Sequence, residues 1–261
     1  MQKKFSSFDI IGSIAIVKFP DGTNQKEKKD TAKKILKDIK HVKTVVEKTE
    51  RIKGRLRTMK TKFLAGVKTK ETIHKENKCF FKINIDKCYF SSRQANERLE
   101  IAHEVKQNDK VLVMFSGVAP YSIVIAKIAK PKKVTSIELG RECCKFAKEN
   151  VKLNKLDNVE IVQGDVKRII PKLARKKIKF DKIVMPRPQL KDSFLHEAFL
   201  VSKKGTIIYY YDYSQDVLEL IEKIEKQTKK DKKKIRVIKV KKAGEVAPYR
   251  YRWRIDFVVI N

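Results

Sequence analysis

The sequence predicts an α/β protein in which a small N-terminal α+β domain precedes a larger domain built on a mostly parallel sheet. Two observations support this prediction. From about residue 110 onward, short apolar runs alternate with amphipathic stretches at the spacing of strand–helix–strand units. Before that point, one amphipathic helix combines with several extended segments in a less regular order. The parallel sheet should therefore carry helices on both faces, joined by right-handed connections.

The small domain is predicted from four segments. In order they are the strand IIGSIAIVKF with its PDG turn, the helix KEKKDTAKKILKDIK, the strand TVVEKTE, and the extended segment CFFKINIDKCYF. In the last of these, period-two alternation places Phe81, Ile83 and Ile85 on one face. We expect this face to be buried.

The larger domain is predicted from five apolar strands with helices between them. The strands are VLVMF, VTSIE, VEIVQ, KIVM and TIIYYY. Two further strands, near IRVIKV and RWRIDFVVI, have no strong helix between them and suggest a hairpin at the sheet edge. This order resembles the seven-stranded Rossmann-like sheet of S-adenosylmethionine-dependent methyltransferases, whose last strand is antiparallel. We expect the small domain over residues 1–90 and the methyltransferase domain over 91–261.

The charge of the chain points to a polyanionic partner. The 63 Lys and Arg against 31 Asp and Glu give a formal net charge of +32. Self-repulsion of this size disfavours the compact state unless an anion relieves it, and nucleic acid is the obvious polyanion. A Lys-rich solvated surface in a generally basic proteome is the alternative.

Other classes are disfavoured by what the sequence lacks. No apolar run approaches the ~18 residues that would cross a bilayer, and no cleavage site follows the first apolar stretch. The four cysteines have no CxxC spacing and no histidine cluster beside them, so we expect reduced thiols and no metal. We expect a cytoplasmic monomer without a membrane partner.

Three strand ends together predict an adenosine site. Gly117, in the FSGVAP turn, lets a ligand approach the backbone next to a helix start. Glu138 ends the next strand, where a carboxylate can take both ribose hydroxyls, and Asp165 ends the third, where it can face an exocyclic amine. The alternative is three ordinary strand ends in a non-binding domain. The predicted cofactor-binding residues are Phe115, Ser116, Gly117, Val118, Glu138, Leu139, Asp165, Val166 and Met185.

The run ETIHKENKCFFKINIDKCYFSSRQANERLEI at 71–101 resembles the join motif of archaeal and eukaryotic-type tRNA (guanine-37-N1)-methyltransferases. FSGVAP, ENVKLNKLDNVEIVQGD and VAPYRYRWRIDF resemble that family's cofactor loop, strand ends and closing strand. The resemblance runs from about residue 8 to the C-terminus, and we expect the extra N-terminal domain of some members to be absent. It implies S-adenosylmethionine as methyl donor and tRNA with G37 as partner.

The resemblance also implies catalytic roles. Glu97 falls on the proposed general base, which would remove the guanine N1 proton. From the sequence alone, a helix-surface carboxylate paired with Lys or Arg is the better interpretation of Glu97, and only the resemblance favours the general base. Arg57 falls on an arginine that could stabilise negative charge on guanine O6, and phosphate contact is its alternative.

The stretch DKIVMPRPQL departs from the family. Its members carry a loop close to Asn-Leu-Pro after the fourth strand, and the Asn is thought to bind the target base. Here Pro186, Arg187 and Pro188 occupy these positions, and Pro186 offers no side-chain amide and no N–H. We predict that Arg187 replaces this contact by donating to guanine O6 and N7. The departure leaves open the exact atom modified.

Two groups of basic residues are candidates for contact with tRNA. The predicted RNA-binding residues are Arg51, Lys53, Arg55, Lys60 and Arg93. In the last strand Tyr249, Tyr251 and Trp253 alternate with Arg250, Arg252 and Arg254, and we expect the aromatic face to pack in the core, with base stacking as the alternative.

The predicted function is methyl transfer from S-adenosylmethionine to N1 of guanosine 37, on a base flipped out of its stack. The alternatives are an aminocarboxypropyl transferase or methyltransferase of the wyosine pathway at the same position, and a catalytically silent tRNA-binding protein. A silent protein should bind tRNA in a salt-sensitive way and be indifferent to loss of Glu97.

Overall fold

The structure is a computed structural model that describes residues 7–50, 54, 58–186 and 192–261. The chain divides into two compact units, the first ending at Ala95 and the second beginning at Asn96. Each unit has its own sheet, so each is described by itself.

The first unit contains a four-stranded sheet, one helix and a separate hairpin. Its elements are β1 Ser7–Ile11, β2 Ile14–Lys18, α1 Gln25–Asp38, β3 Thr44–Lys48, β4 Thr61–Gly66, β5 Glu71–Glu76, β6 Cys79–Asn84 and a 3₁₀ turn at Ser92–Gln94. The sheet order is β1-β2-β3-β4, with β2 and β3 parallel and the other pairs antiparallel. Helix α1 begins at a capping box between Asn24 and Glu27 and buries Ala32 and Ile35 in the core of this sheet. Phe81, Ile83 and Ile85 are all buried, as the alternation predicts.

The first apolar stretch is two strands and not the one predicted. Gly12 has a φ of +55° and turns the chain between β1 and β2, which pair antiparallel. A Cβ atom at Gly12 would lie 2.3 Å from Thr72 Oγ1 and 2.4 Å from the carbonyl oxygen of Ile73. Glycine is therefore required both for the backbone angle and for the close approach of β5. Apolar residues on both sides of a single glycine gave no sequence signal for this turn.

The second unit is a seven-stranded α/β sheet. Its elements are α2 Ala95–Glu104, β7 Lys110–Met114, α3 Pro120–Ala129, β8 Lys133–Glu138, α4 Arg141–Leu153, β9 Val159–Gln163, α5 Val166–Arg175, β10 Lys182–Met185, α6 Leu195–Leu200, β11 Ile207–Ser214, α7 Val217–Lys230, β12 Ile235–Ala247 and β13 Arg250–Val259. The sheet order is β12-β13-β11-β10-β7-β8-β9. The five strands from β7 to β11 run parallel, and β13 pairs antiparallel with both β11 and β12. The predicted edge hairpin is present.

The two faces of β13 differ from the expectation drawn from its sequence. Trp253 packs against the main core, but Tyr249 is 76% exposed. Arg252 and Arg254 lie on the other face and are 3% and 0% exposed. Period-two alternation separated the faces correctly, but the arginine face is the more deeply buried one because acidic helix α2 covers it.

The described residues bear on three expectations from the sequence, which concern the cysteines, a metal site and a membrane-spanning helix. All four cysteines are buried free thiols. Across the described ranges no cluster of His, Cys, Asp and Glu could hold a metal ion. No helix in the described part of the chain combines the length and apolar character that a membrane crossing requires.

We predict that Gly12→Ala destabilises the first unit by about 2 kcal/mol or more, because it adds a steric clash to the strain of a positive φ. Gly22→Ala is the matched control, since Gly22 also has a positive φ (+80°) but nothing within 4 Å of its Cβ position. It should cost about 1 kcal/mol. The measurement is the free energy of unfolding in urea, and equal losses for the two variants would contradict the role assigned to the approach of β5.

Candidate functional site

The loop after β7 is held in an unusual backbone conformation. Phe115, Gly117 and Ala119 have φ angles of +56°, +58° and +67°. The Ser116 N–H donates to the carbonyl oxygen of Ile137 at 3.0 Å, which fixes the loop to the next strand. Positive φ at two residues other than glycine is strain of the kind that clusters at ligand sites. The Ser116 hydroxyl is buried and has no hydrogen-bonding partner within the part of the chain described.

Glu138 connects two of the predicted cofactor-binding loops. Its Oε2 accepts from the Gly117 N–H at 2.8 Å and its Oε1 accepts from the Gly140 N–H at 2.7 Å. Burial raises the pKa of Glu138, and the backbone hydrogen bonds oppose that rise. Each carboxylate oxygen has a second lone pair, so both can still accept a hydroxyl donor. This geometry fits a ribose diol at the carboxyl end of β8.

The other predicted cofactor-binding residues divide into polar and apolar ones. Asp165 caps α5, its Oδ1 accepting from the Lys167 N–H at 2.9 Å. Val118, Val166 and Met185 are buried, and Leu139 is exposed. The Phe115 ring packs against Phe194 with centroids 4.9 Å apart. These positions suit an adenosine site, and the assignment of each residue to a cofactor stays a prediction.

Glu97 is buried and held by three partners. It is 7% exposed, so it is not the surface carboxylate that its helical position allowed. Its Oε1 lies 2.5 Å from Lys241 Nζ, and its Oε2 lies 3.2 Å from Arg254 Nη1. The Tyr211 hydroxyl donates to Oε2 at 3.0 Å. Two cations and one hydroxyl therefore compensate a carboxylate removed from water.

Glu97 belongs to a larger buried charge cluster beneath α2. Arg254 Nη2 lies 2.9 Å from both Glu100 Oε1 and Asp256 Oδ2, and 3.5 Å from Glu104 Oε1. Lys239 and Lys241 also pair with Glu100.

The cluster shifts the pKa values of two carboxyl groups in opposite directions. Burial alone would raise the pKa of Glu100, but hydrogen bonds from Lys239, Lys241 and Arg254 lower it to about 2. Burial raises the pKa of Asp256 to about 6 against the opposing effect of Arg254.

Four residues of this site were missed from the sequence: Tyr211, Lys241, Arg252 and Arg254. The Arg252 guanidinium carbon lies 3.9 Å from the centroid of the Tyr211 ring. The alternation of arginines in RYRWRID was the available signal, because an acidic helix such as ERLEIAHE can cover a basic strand face. Core packing was predicted for the aromatic face, and burial of the arginine face was not predicted.

Several residues that were predicted to contact the target base or tRNA are not part of the Glu97 cluster or lie outside the described residues. Arg51, Lys53, Arg55 and Arg57, together with Arg187 and Pro188, belong to ranges that the structure does not describe. Lys60 is exposed and pairs with Glu50 at 3.1 Å, and Arg93 pairs with Asp9 at 2.7 Å. The roles of all these residues stay predictions.

A family model described as the TRM5/TYW2 methyltransferase domain matches residues 72–238. The chain belongs to this family. A second model, described as the TYW2 N-terminal domain, matches residues 1–69. The family predicted from the 71–101 run is thus confirmed.

Relatives within the TRM5/TYW2 family differ in their named activities. The tRNA (guanine(37)-N(1))-methyltransferase Trm5b of Pyrococcus abyssi is 36% identical over 81% of this chain, which spans 61% of that relative's length. The tRNA (guanine(37)-N(1))/4-demethylwyosine(37)-methyltransferase Taw22 of Nanoarchaeum equitans is 32% identical over 97% of this chain and all of that protein. A tRNA(Phe) (4-demethylwyosine(37)-C(7)) aminocarboxypropyltransferase of Methanocaldococcus jannaschii is 33% identical, covering 77% of this chain and 76% of that protein.

Solved structures confirm the predicted fold class. Trm5b from Pyrococcus abyssi matches 98% of this chain and 76% of that chain, with a TM-score of 0.87 at 32% identity. A complex of aTrm5 with tRNALeu matches 98% of this chain and 72% of that chain, with a TM-score of 0.87 at 30% identity. TYW2 of M. jannaschii, in complex with AdoMet, matches 97% of this chain and 100% of that chain, with a TM-score of 0.73 at 25% identity. S-adenosylmethionine is thereby confirmed as the cofactor of the family.

We predict that Glu100→Gln removes a pH-dependent part of the stability. The folded-state pKa of Glu100 is lowered from 4.5 to about 2, so its stabilisation is complete above pH 4.5 and is lost as the pH falls toward 2. The variant should be about 2 kcal/mol less stable than the wild type at pH 6, after allowance for partial exposure, and the gap should close at low pH.

The measurement is the free energy of unfolding in urea between pH 2.5 and 6. Glu222→Gln, on the exposed side of α7, is the matched control and should follow the wild type throughout. A gap between Glu100→Gln and the wild type that is constant with pH would contradict the assigned pKa.

Proposed function

We propose that this protein transfers the methyl group of S-adenosylmethionine to N1 of guanosine 37 in tRNA. The observation that carries the proposal is Glu97, a buried carboxylate held by Lys241, Arg254 and Tyr211 in a member of the TRM5/TYW2 family. Methylation at N1 requires a group that removes the N1 proton, and a positioned carboxylate can do so.

The cofactor-binding residues fit the proposed methyl donor. Glu138, which bridges the amides of Gly117 and Gly140, would accept from the ribose hydroxyls. The buried hydroxyl of Ser116 has no partner among the described residues, so it is available to a polar ligand atom at the same loop. S-adenosylmethionine supplies an electrophilic methyl group when bound. The chain itself supplies orientation at this loop.

Glu97 is suited to take the proton because its position is fixed before the substrate arrives. Lys241 and Arg254 hold one oxygen each, so little reorganisation is needed during the reaction. The N1–H bond of guanine would break and its proton would pass to a Glu97 oxygen. The N1 electron pair would bond to the methyl carbon as the bond between that carbon and the donor sulfur breaks, with its electron pair leaving on the sulfur as a neutral thioether. The two cations then stabilise the carboxylate again after the proton leaves.

The charge of the chain supports tRNA as the substrate. A net charge of +32 favours a polyanion, and a structural neighbour was solved in complex with tRNALeu. Binding should therefore weaken with added salt in proportion to the number of phosphates contacted.

A second candidate is methylation of 4-demethylwyosine at position 37. The match to Taw22 of Nanoarchaeum equitans covers 97% of this chain and all of that protein, and the name of Taw22 includes both activities. Pro186 stands where an Asn would bind guanine in the family loop, so a second base is compatible with the sequence at that position.

The experiment is transfer of labelled methyl to tRNA transcripts carrying G37, A37 or enzymatically prepared 4-demethylwyosine, followed by nucleoside mass spectrometry. We expect 1-methylguanosine with G37 and none with A37. Product only with 4-demethylwyosine would replace the proposal by the second candidate. Salt-sensitive binding with neither a methylated nor an aminocarboxypropylated nucleoside would indicate a silent tRNA-binding protein.

We predict that Glu97→Gln lowers kcat for this reaction by about 10²–10⁴-fold, because a general base is lost. The affinities for tRNA and S-adenosylmethionine should stay within about twofold, since binding does not require the proton transfer. Glu222→Gln serves again as the matched surface control. A Glu97→Gln variant with wild-type kcat would refute the assignment of the base.

We predict that Glu138→Gln weakens S-adenosylmethionine binding by about tenfold or more, since its amide would point a donor at a backbone N–H. Glu160→Gln is the matched control, because Glu160 pairs with Lys133 on the exposed surface. Isothermal titration calorimetry measures both affinities. Unchanged affinity in Glu138→Gln would place the ribose elsewhere.

A further inference from the structure

The hairpin between β12 and β13 ends in an exposed aromatic residue with a strained backbone. Ala247 pairs with Arg250, and Pro248 and Tyr249 form the two-residue turn between them. Tyr249 has a φ of +58° and is 76% exposed. Glycine or asparagine usually takes such a turn position, because a bulky side chain at positive φ is strained. A strained aromatic residue that the fold does not bury indicates a functional role.

A cation lies over two further aromatic rings on the same hairpin. Lys242 Nζ is 3.8 Å from the centroid of the Tyr251 ring and 5.4 Å from that of the Trp253 ring. The two rings meet edge to face, with centroids 5.9 Å apart. Trp253 is fixed in place, because it packs against the main core and its Nε1 donates to the carbonyl oxygen of Ser214 at 3.2 Å. The ammonium group of Lys242 is therefore positioned by the rings while its side chain remains exposed.

The end of the hairpin lies at the edge of the sheet where ligands of parallel α/β sheets bind. Tyr251 pairs with Ser214, the last residue of β11, so Tyr249 lies beyond the carboxyl end of that strand. Gly117 and Glu138 lie at the carboxyl ends of β7 and β8, which run parallel to β11. β13 is three strands from β7, a distance of about 14 Å at the usual strand spacing. A nucleotide that flanks a base bound at this edge is therefore within reach of the hairpin.

Base flipping creates a need for an aromatic ring beside the target. When a target base leaves its stack, the bases on either side of it lose a stacking partner. An aromatic side chain can replace that partner, whatever the base, because every base has a π-face. A cation beside the ring can pair with the phosphate of the same nucleotide. The net charge of +32 favours RNA over a protein segment as the occupant.

We propose that the end of the β12–β13 hairpin binds an unpaired nucleotide of the anticodon loop next to the target base. The base of that nucleotide stacks on Tyr249, and its phosphate contacts Lys242. Tyr249 is thus a tRNA-binding residue that does not contact the target base itself. This inference rests on the proposed function, in which tRNA position 37 is the target.

The first test measures the tRNA affinity of Tyr249→Ala and Tyr249→Phe. The tRNAs carry G37 and are intact, or abasic at position 36, at position 38 or, as a control, in the variable loop. With intact tRNA, Tyr249→Ala should weaken binding by about fivefold to 150-fold, the range typical of one stacked base, and Tyr249→Phe should stay within about twofold of the wild type. On one of the two flanking abasic tRNAs, Tyr249→Ala should have no further effect, because the base that it would stack on is gone.

The melting temperature of Tyr249→Ala should equal that of the wild type, because alanine keeps a Cβ at the same φ and the tyrosine ring is exposed. A lowered melting temperature with equal affinity losses on all four tRNAs would show a structural role and overturn the proposal. No loss on intact tRNA would also overturn it. Equal losses in Tyr249→Ala and Tyr249→Phe would assign the contact to the hydroxyl and refute stacking.

The second test separates Lys242 from general electrostatic attraction. Lys242→Gln should weaken tRNA binding and reduce the slope of log affinity against log salt concentration by about one phosphate contact. Arg250→Gln is the matched control, since it removes the same charge from the same hairpin. Arg250 is exposed but lies on the opposite face of β13 from Tyr251, so its loss should leave the slope unchanged. Equal changes of slope in the two variants would refute the phosphate contact assigned to Lys242.

Trp253 is the only tryptophan of the chain, so its fluorescence reports on this hairpin directly. Binding of intact tRNA should change its emission, because Lys242 lies over its ring. Binding without such a change would place the RNA elsewhere and overturn the proposal.

These measurements follow binding and do not require methyl transfer. Absence of 1-methylguanosine from G37 tRNA, with the effects of Tyr249→Ala as expected, would overturn the proposed function alone. A wild type that methylates G37 but whose tRNA affinity is indifferent to Tyr249→Ala would overturn the present inference alone. A wild type that does not bind tRNA would overturn both.

Discussion

The second unit depends on Arg254, a guanidinium with no exposed surface that joins α2 to the last strand of the sheet. Removing an arginine from water costs several kcal/mol, and only well-placed carboxylates recover that free energy. Here the carboxylates come from both sides, three from one face of α2 and Asp256 from β13 itself. The position of α2 on the sheet is thereby specified by charge geometry as well as by apolar contact, because a shift by one helical turn would disrupt the pairs between α2 and Arg254.

The ion pairs that hold α2 on the sheet also explain how Glu97 can be buried at the place where we propose that it removes a proton. A carboxylate that is only 7% exposed is costly to bury unless compensating charges lie beside it. Lys241 and Arg254 supply compensating charge at its two oxygens, and both come from the closing hairpin β12–β13. The hairpin therefore contributes to the site although it lies at the sheet edge. Strand length matters here, since β12 extends to Ala247 and carries Lys241 in its middle.

The sequence predicted the parts of the site that follow from strand order and missed those that depend on packing across elements. Glu138 and the turn at Gly117 follow strands β8 and β7, and the carboxyl ends of adjacent parallel strands must meet. Alternation in β13 likewise separated Arg252 and Arg254 from Trp253. What covers each face is a long-range property, because α2 and β13 are about 150 residues apart and a polar strand face is usually solvated. The turn at Gly12 was missed for a similar reason, since the approach of β5 that requires glycine is distant in sequence.

The charge arrangement around Glu97 serves any reaction in which a ring atom of a purine loses a proton as it gains a carbon substituent. The cluster therefore supports proton removal without selecting the base. We expect selection of the base to depend on the segment after β10, where Pro186 stands in place of the Asn of the family loop. Proline there removes a backbone donor and fixes the chain direction. Pro186 offers no polar side chain to recognise a base edge, so discrimination at this one position would rest on size, in which guanine and a tricyclic base differ.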